Sequence, residues 1–422
     1  MKLSLFSHEF HLNTIDGFQK IGRVVPFASS LLLIGIISLL IYHSSNNYKA
    51  MTSQQQYALT HQKQVPNHTH TGDNEECDIF KGHWIQDPNA YLYDNLSCPT
   101  LPDWKNCFKH GRKDREFVNW RWKPENCELP RFDAKAFLKI VQGKTMAFVG
   151  DSLARNHVES LLCLLSRELV PVQKGPEDEK SPTWYFPLYN FTLLKIWSPF
   201  LVKYKERIVN DNADLYLDEV DNKWAEKLPE IDYVIMSDNH WFFRKNYLYE
   251  HGNLIGCLHC GEQNLTDFEP HIALGKAFRT ALGHINGCKG CKSIVTWVRT
   301  LSPGHFENGS WNAGGFCNRT RPFSEEELNV GGSYEMQLRK IQIEEVERAR
   351  KEGTMAGNRF EILDITKLMF MRPDGHPNSH WHSHGVKGYN DCVHWCLPGP
   401  VDTWNDFLLA MLRKELNSTL KL

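Results

Sequence analysis

Apolar positions along the chain change their spacing four times, dividing it into five segments. Residues 1–23 are mixed and polar, and Val24 to Tyr42 then run 19 residues without a charged side chain, which is long enough to cross a hydrocarbon core. The run exceeds a signal-peptide core, comes after a polar segment and has no small-x-small cleavage site behind it, so a retained signal anchor is expected over 24–42. Lys20 and Arg23 precede it, which puts residues 1–23 in the cytoplasm and the bulk of the chain in the lumen. From 43 to 76 polar residues dominate and nothing could build a core, so a flexible stem is expected, holding the domain from Cys77 onward about 30 Å from the bilayer.

From Cys77 the pattern is short and irregular, with Cys77, Cys98, Cys107 and Cys127 interleaved with Trp84, Trp104, Trp120 and Trp122. No helical period is visible, and 77–142 reads as a loop-rich Cys/Trp lobe leaning on a larger body. Residues 143–422 alternate continuous apolar runs with amphipathic ones. Strands are predicted at Met146–Val149, Tyr233–Met236, Ser293–Val298 and Phe360–Leu363, and helices over Leu153–Leu165, Glu335–Lys351 and Val401–Leu416. Strands alternating with helices predict an α/β body on a parallel, doubly wound sheet.

Composition narrows the setting. With 422 residues, 41% hydrophobic and 23% charged, the chain can bury a full core, and a net charge of -2 without a local basic block excludes nucleic acid as a partner. Twelve cysteines, all beyond residue 76, and sequons at Asn67, Asn95, Asn190, Asn264, Asn308, Asn318 and Asn417 together indicate the oxidising secretory pathway.

Two short motifs carry candidate chemistry. The apolar run before Gly150-Asp151-Ser152 stops at a turn where a helix begins, which is how an α/β sheet presents a nucleophilic serine and also how Asp and Ser cap a helix. Far downstream, Asp391-Cys-Val-His394 sets a carboxylate one turn before an imidazole. That spacing suits a base held in one tautomer, and equally a local hydrogen bond pinning a loop. The order Ser152, Asp391, His394 is that of several α/β serine hydrolases.

These motifs, the signal anchor and the run from Arg299 through Trp311 to Arg319 occur together and in order, and the chain from Cys77 onward resembles the plant trichome birefringence-like proteins. The resemblance implies a GDSL/SGNH-hydrolase-like three-layer fold and a Golgi polysaccharide O-acetyltransferase, type II in the membrane. It makes Ser152 the nucleophile with Asp391 and His394 as its partners. It also implies disulfides Cys77–Cys127, Cys98–Cys163, Cys107–Cys396 and Cys317–Cys392. The segment Gly256-Cys257-Leu-His-Cys260 is similar to the subgroup acting on xyloglucan or glucomannan, so a hemicellulose acceptor is expected, xyloglucan ahead of mannan and xylan. No cofactor-binding motif is present; an acetyl donor is required, either acetyl-CoA or a protein-derived one. An acetyl esterase with the same triad and a noncatalytic glycan-binding wall protein are the rival readings.

Other residues have candidate roles beside simpler ones. The Ser152 amide, Asn239, or a backbone amide of Gly314 or Gly315 could stabilise an oxyanion, although Ser237-Asp-Asn239-His240-Trp241 departs from the family's pattern there. Arg155 is either a substrate contact or an exposed helix cation, and Trp241 and Trp311 are candidate sugar contacts beside Trp381 and Trp395. Cys257-x-x-Cys260 and Cys288-x-x-Cys291 resemble a zinc ribbon, but an oxidising lumen favours disulfides and no metal site is assigned. His376, His380, His382 and His384 are expected in a solvated loop, with His376 in a segment resembling a family motif.

Overall fold

The computed structural model describes residues 77–175, 181–207, 212–328, 331–352, 357–381 and 389–419; the cytoplasmic tail, the Val24–Tyr42 span, the stem, His382 and His384 lie outside the described residues. Among the described residues no helix is long and apolar enough to cross a membrane.

The lobe contributes β1 (Gly82–Gln86) and β2 (Trp120–Pro124). The body continues with α1 (Ala134–Ile140), β3 (Thr145–Gly150), α2 (Ser152–Leu165), β4 (Val172–Lys174), β5 (Thr183–Phe186), β6 (Phe191–Trp197), β7 (Val202–Glu206), β8 (Ala213–Val220) and α3 (Asn222–Ala225). Then come β9 (Tyr233–Ser237), β10 (Asn246–Glu250), β11 (Asn253–Leu258), α4 (Pro270–Asn286), β12 (Val295–Arg299), α5 (Tyr334–Lys351), β13 (Arg359–Leu363), α6 (Thr366–Phe370) and α7 (Asp402–Thr419).

The main sheet has the order β13-β12-β9-β3-β6-β5-β4. Strand β3 sits near its middle, parallel to β6 and β9 and buried on both faces. Its side chains alternate: Met146 and Phe148 join the core under α1, α2 and α7, while Ala147 and Val149 join the core under α4 and α5. That period of two places one helical layer on each side, which makes the body three-layered. A central strand flanked this way can be continuously apolar, hence its legibility in the sequence.

The expected parallel sheet forms from the four predicted strands β13, β12, β9 and β3, joined by β6, which the sequence pattern did not announce. Strands β5 and β4 pair antiparallel at one edge, and a separate four-stranded sheet of order β11-β10-β8-β7 stands apart. Its strands carry charge, as in Lys203, Lys205 and Glu206 of β7, which hides their period. Helix α4 was also invisible, because Gly275, Gly283, His271 and His284 dilute its pattern. Its Leu274, Phe278, Leu282 and Ile285 are nonetheless fully buried.

The lobe shares the body's core rather than owning one. Trp84 and Trp122 pack edge to face and enter the cluster with α2 and α7, and the Trp84 indole donates to the carbonyl of Leu368. Six disulfides pair all twelve cysteines, including the four pairs implied by the family resemblance. Cys98–Cys163 ties the lobe to α2, and Cys107–Cys396 ties it to the loop after His394.

Candidate active site

Ser152 lies where β3 gives way to α2. Gly150 has φ +151°, and a Cβ there would come 1.8 Å from the Ser237 carbonyl oxygen on β9, so a side chain would push the two strand ends apart. Asp151 caps α2, its Oδ1 accepting from the Leu153 amide at 2.8 Å. Ser152 is therefore the first helical residue, and its own amide has no acceptor within the helix.

The loop before α7 supplies the partners. His394 Nε2 is 2.7 Å from Ser152 Oγ, and His394 Nδ1 is 2.9 and 3.0 Å from the two oxygens of Asp391. Asp391 Oδ1 also accepts from the amides of Val393 and His394 at 3.2 and 2.9 Å. A carboxylate only accepts, so Nδ1 carries the proton and Nε2 offers a lone pair to the serine. Burial lowers the His394 imidazole below its ordinary range, which Asp391 opposes and Lys105 and Arg155 reinforce. Burial alone would raise Asp391, but His394, Lys105 and the bonds from His394 outweigh it and hold the carboxyl well below the usual carboxylate range. A neutral base facing a hydroxyl, with an ionised carboxylate behind it, is the arrangement that activates a serine.

The loop is held from several sides. Asn156, one turn beyond Ser152, accepts from the Trp395 amide at 2.8 Å and donates to its carbonyl at 3.3 Å. Asn378 and Asp391 exchange backbone bonds at 2.9 Å, and Cys317–Cys392 and Cys107–Cys396 bracket His394.

Residues 129–411 match the GDSL/SGNH-like acyl-esterase family found in Pmr5 and Cas1p, and residues 75–128 match the PMR5 N-terminal domain. The chain belongs to this acyl-esterase family. It is 50% identical to xyloglucan O-acetyltransferase 4 of Populus trichocarpa over 94% of each chain, and 46% identical to xyloglucan O-acetyltransferase 2 of Arabidopsis thaliana over 94% of each. It is 41% identical to protein trichome birefringence-like 19 of Arabidopsis thaliana over 96% of each.

The other candidate residues have the following surroundings. Arg155 is not an exposed helix cation: it is half-buried, 3.7 Å from Glu159 and 5.6 Å from the Trp104 ring. Asn239 lies two residues beyond Ser237, the β9 partner of Gly150, and its buried Oδ1 has no partner. His240 is tied to the Ser302 carbonyl at 2.9 Å. Trp241 packs edge-on against Trp197 and Phe200 and has Arg244 3.9 Å over its ring, which leaves less of its surface for a sugar than expected. Trp311 is 60% exposed and stacks on Tyr389, two residues before Asp391. The Gly315 amide donates to the Ser310 carbonyl, which removes it as an oxyanion donor. Cys257–Cys260 and Cys288–Cys291 close as separate disulfides, the first at the end of β11 and the second beyond α4.

One expectation is overturned. His376 is not in a solvated loop: it is 2% exposed and stacked on Trp395 at 4.0 Å, while His380 is partly buried and bonded to the His110 carbonyl at 3.1 Å. Three residues at the site were not singled out in the sequence, although His305 lies within the Arg299–Arg319 run. Lys105, 2% exposed, reaches from the lobe to within 3.6 Å of Asp391, and Asn156 and His305 support the loop. Their partners lie far away along the chain.

Proposed function

We propose that this chain transfers acetyl groups to hydroxyls of xyloglucan through an acetyl-serine. The observation that carries the reading is the continuous array Ser152 Oγ, His394 and Asp391 at 2.7 and 2.9 Å. The relatives named as xyloglucan O-acetyltransferases support the acceptor.

His394 Nε2 takes the Ser152 proton as Oγ attacks the acetyl carbonyl of the donor. The tetrahedral oxyanion faces the Ser152 amide, with the Asn239 side-chain amide as the candidate second donor. The donor leaves with the proton from His394. A sugar hydroxyl then gives its proton to His394 and attacks the acetyl-serine, and Ser152 recovers its proton from the imidazolium. The donor is acetyl-CoA or an acetylated protein. The Val24–Tyr42 anchor and the stem would hold this chemistry on the lumenal side of the Golgi membrane, where the acceptor is assembled. The exposed Trp311–Tyr389 pair beside the catalytic loop offers flat apolar faces to a sugar backbone.

The test incubates the full chain with an acetyl donor and xyloglucan, glucomannan or xylan, and Ser152→Ala alongside. Acetylated xyloglucan is expected, with at least a ~10³-fold loss in the variant. Acetate release without glycan product would make the chain an esterase, binding without turnover a glycan-binding protein, and an active Ser152→Ala would remove the mechanism.

A further inference from the structure

Beneath the catalytic loop two imidazoles meet end to end. His305 Nδ1 lies 2.7 Å from His376 Nε2, and each ring has its other nitrogen on a backbone carbonyl: His305 Nε2 on Phe370 at 3.0 Å, and His376 Nδ1 on His394 at 2.6 Å. A carbonyl oxygen only accepts, so both outer nitrogens must be N–H. A neutral imidazole has a single N–H. With both outer positions protonated, the two inner nitrogens of neutral rings would present lone pairs to each other at 2.7 Å. One further proton between them converts that repulsion into an N–H···N hydrogen bond.

We propose that His305 and His376 share one proton, forming a singly charged imidazole pair that positions the carbonyl of His394 and so the base of the catalytic triad. Three protons on four nitrogens satisfy every polar atom of the pair. His376 is the link: its Nδ1–H holds the His394 carbonyl, and its ring stacks on Trp395, the residue bonded to Asn156 of α2. His305 reinforces the same loop through its amide, which donates to the Cys392 carbonyl at 2.9 Å.

The charged and titratable groups around the pair act in both directions. Burial opposes the shared proton at both rings, pushing each below its ordinary value, and Arg319 and a protonated His394 act in the same sense, whereas Asp391 and Glu307 favour it. Arg112 donates to the His376 carbonyl at 2.9 Å, and its neighbour Arg372 is neutralised by Asp374. The indole face of Trp395 over His376 favours a cationic ring. A cavity of about 400 Å³ lined by Arg112, Arg319, His376, Asn378 and His380 adjoins the His376 side of the pair. Because burial opposes the proton that geometry demands, the pair loses it as pH rises. One of its three hydrogen bonds must then break, and the loop of His394 loosens.

The experiment is ring-nitrogen NMR of the full chain labelled with ¹⁵N-histidine, read across pH, together with His305→Phe, which keeps an aromatic ring but cannot share a proton. At mildly acidic pH the wild type is expected to show one N–H···N proton far downfield and two rings sharing a charge; His305→Phe loses that resonance. Two neutral rings at about pH 6, just under the ordinary imidazole value, would overturn the proposal, and this measurement stands even where the variant does not fold. The kinetic arm rests on the acetyl-transfer reading proposed for the triad. His305→Phe should lose about tenfold in kcat at mildly acidic pH and no longer lose activity as the pair of the wild type deprotonates, with the donor KM unchanged. An unchanged pH profile would also overturn it. The NMR arm needs no turnover, so its outcome is separate from whether the chain acetylates glycans.

Discussion

Replacing Lys105 by Met tests whether the lobe takes part in the chemistry. Lys105 Nζ is 3.6 Å from Asp391 Oδ2, which is itself 2.9 Å from His394 Nδ1. Those two distances put the ammonium within about 6.5 Å of the imidazole, and at an effective dielectric of about 20 two unit charges at that separation repel by about 2.5 kcal/mol, or about two pH units on the His394 equilibrium. Removing the ammonium should raise the His394 pKa by about one to two units. The acid limb of the kcat/KM profile then moves to higher pH by the same amount, with little change in acceptor KM. Burial lowers the Lys105 ammonium from 10.5 to about 8, against the pull of Asp391, so it is charged at the neutral and acidic pH where the limb is read. A pH-rate series on the wild type and the variant reads the shift, with a thermal melt to confirm that the variant folds. An unmoved acid limb in a folded variant would refute the electrostatic role.

The same geometry sets three other outcomes. In the wild type, the lowered imidazole of His394 should place the acid limb of the kcat/KM profile below pH 6.5, where His394 takes a proton; an acid limb already falling near neutrality would contradict the neutral base. Trp311→Ala and Tyr389→Ala should each raise the KM for xyloglucan about tenfold while leaving hydrolysis of a small acetyl ester intact, because the stacked pair is exposed and lies outside the triad. Replacing Cys317 and Cys392 together by Ser opens a link spanning 75 residues. It should lower stability by about 2–4 kcal/mol in thermal melts and reduce kcat more than KM, since Cys392 sits between Asp391 and His394.

The sequence by itself determined the parts whose physics is local. Strand β3 and helix α2 were legible because a doubly buried strand is uniformly apolar and the helix behind it is amphipathic, and Gly150-Asp151-Ser152 had to be their junction. Asp391 and His394 were legible as a pair because a single turn of chain brings them together. Tertiary structure decided everything that depends on chain brought from far away. It placed His394 on Ser152, drew Lys105 out of the lobe to Asp391, and turned His376 from a loop histidine into a buried partner of His305. It also reversed β5 against β6 and built the second sheet. Contacts of this kind depend on which surfaces meet when the core closes, and side chains such as Lys105 and His305 show no local period that would announce it.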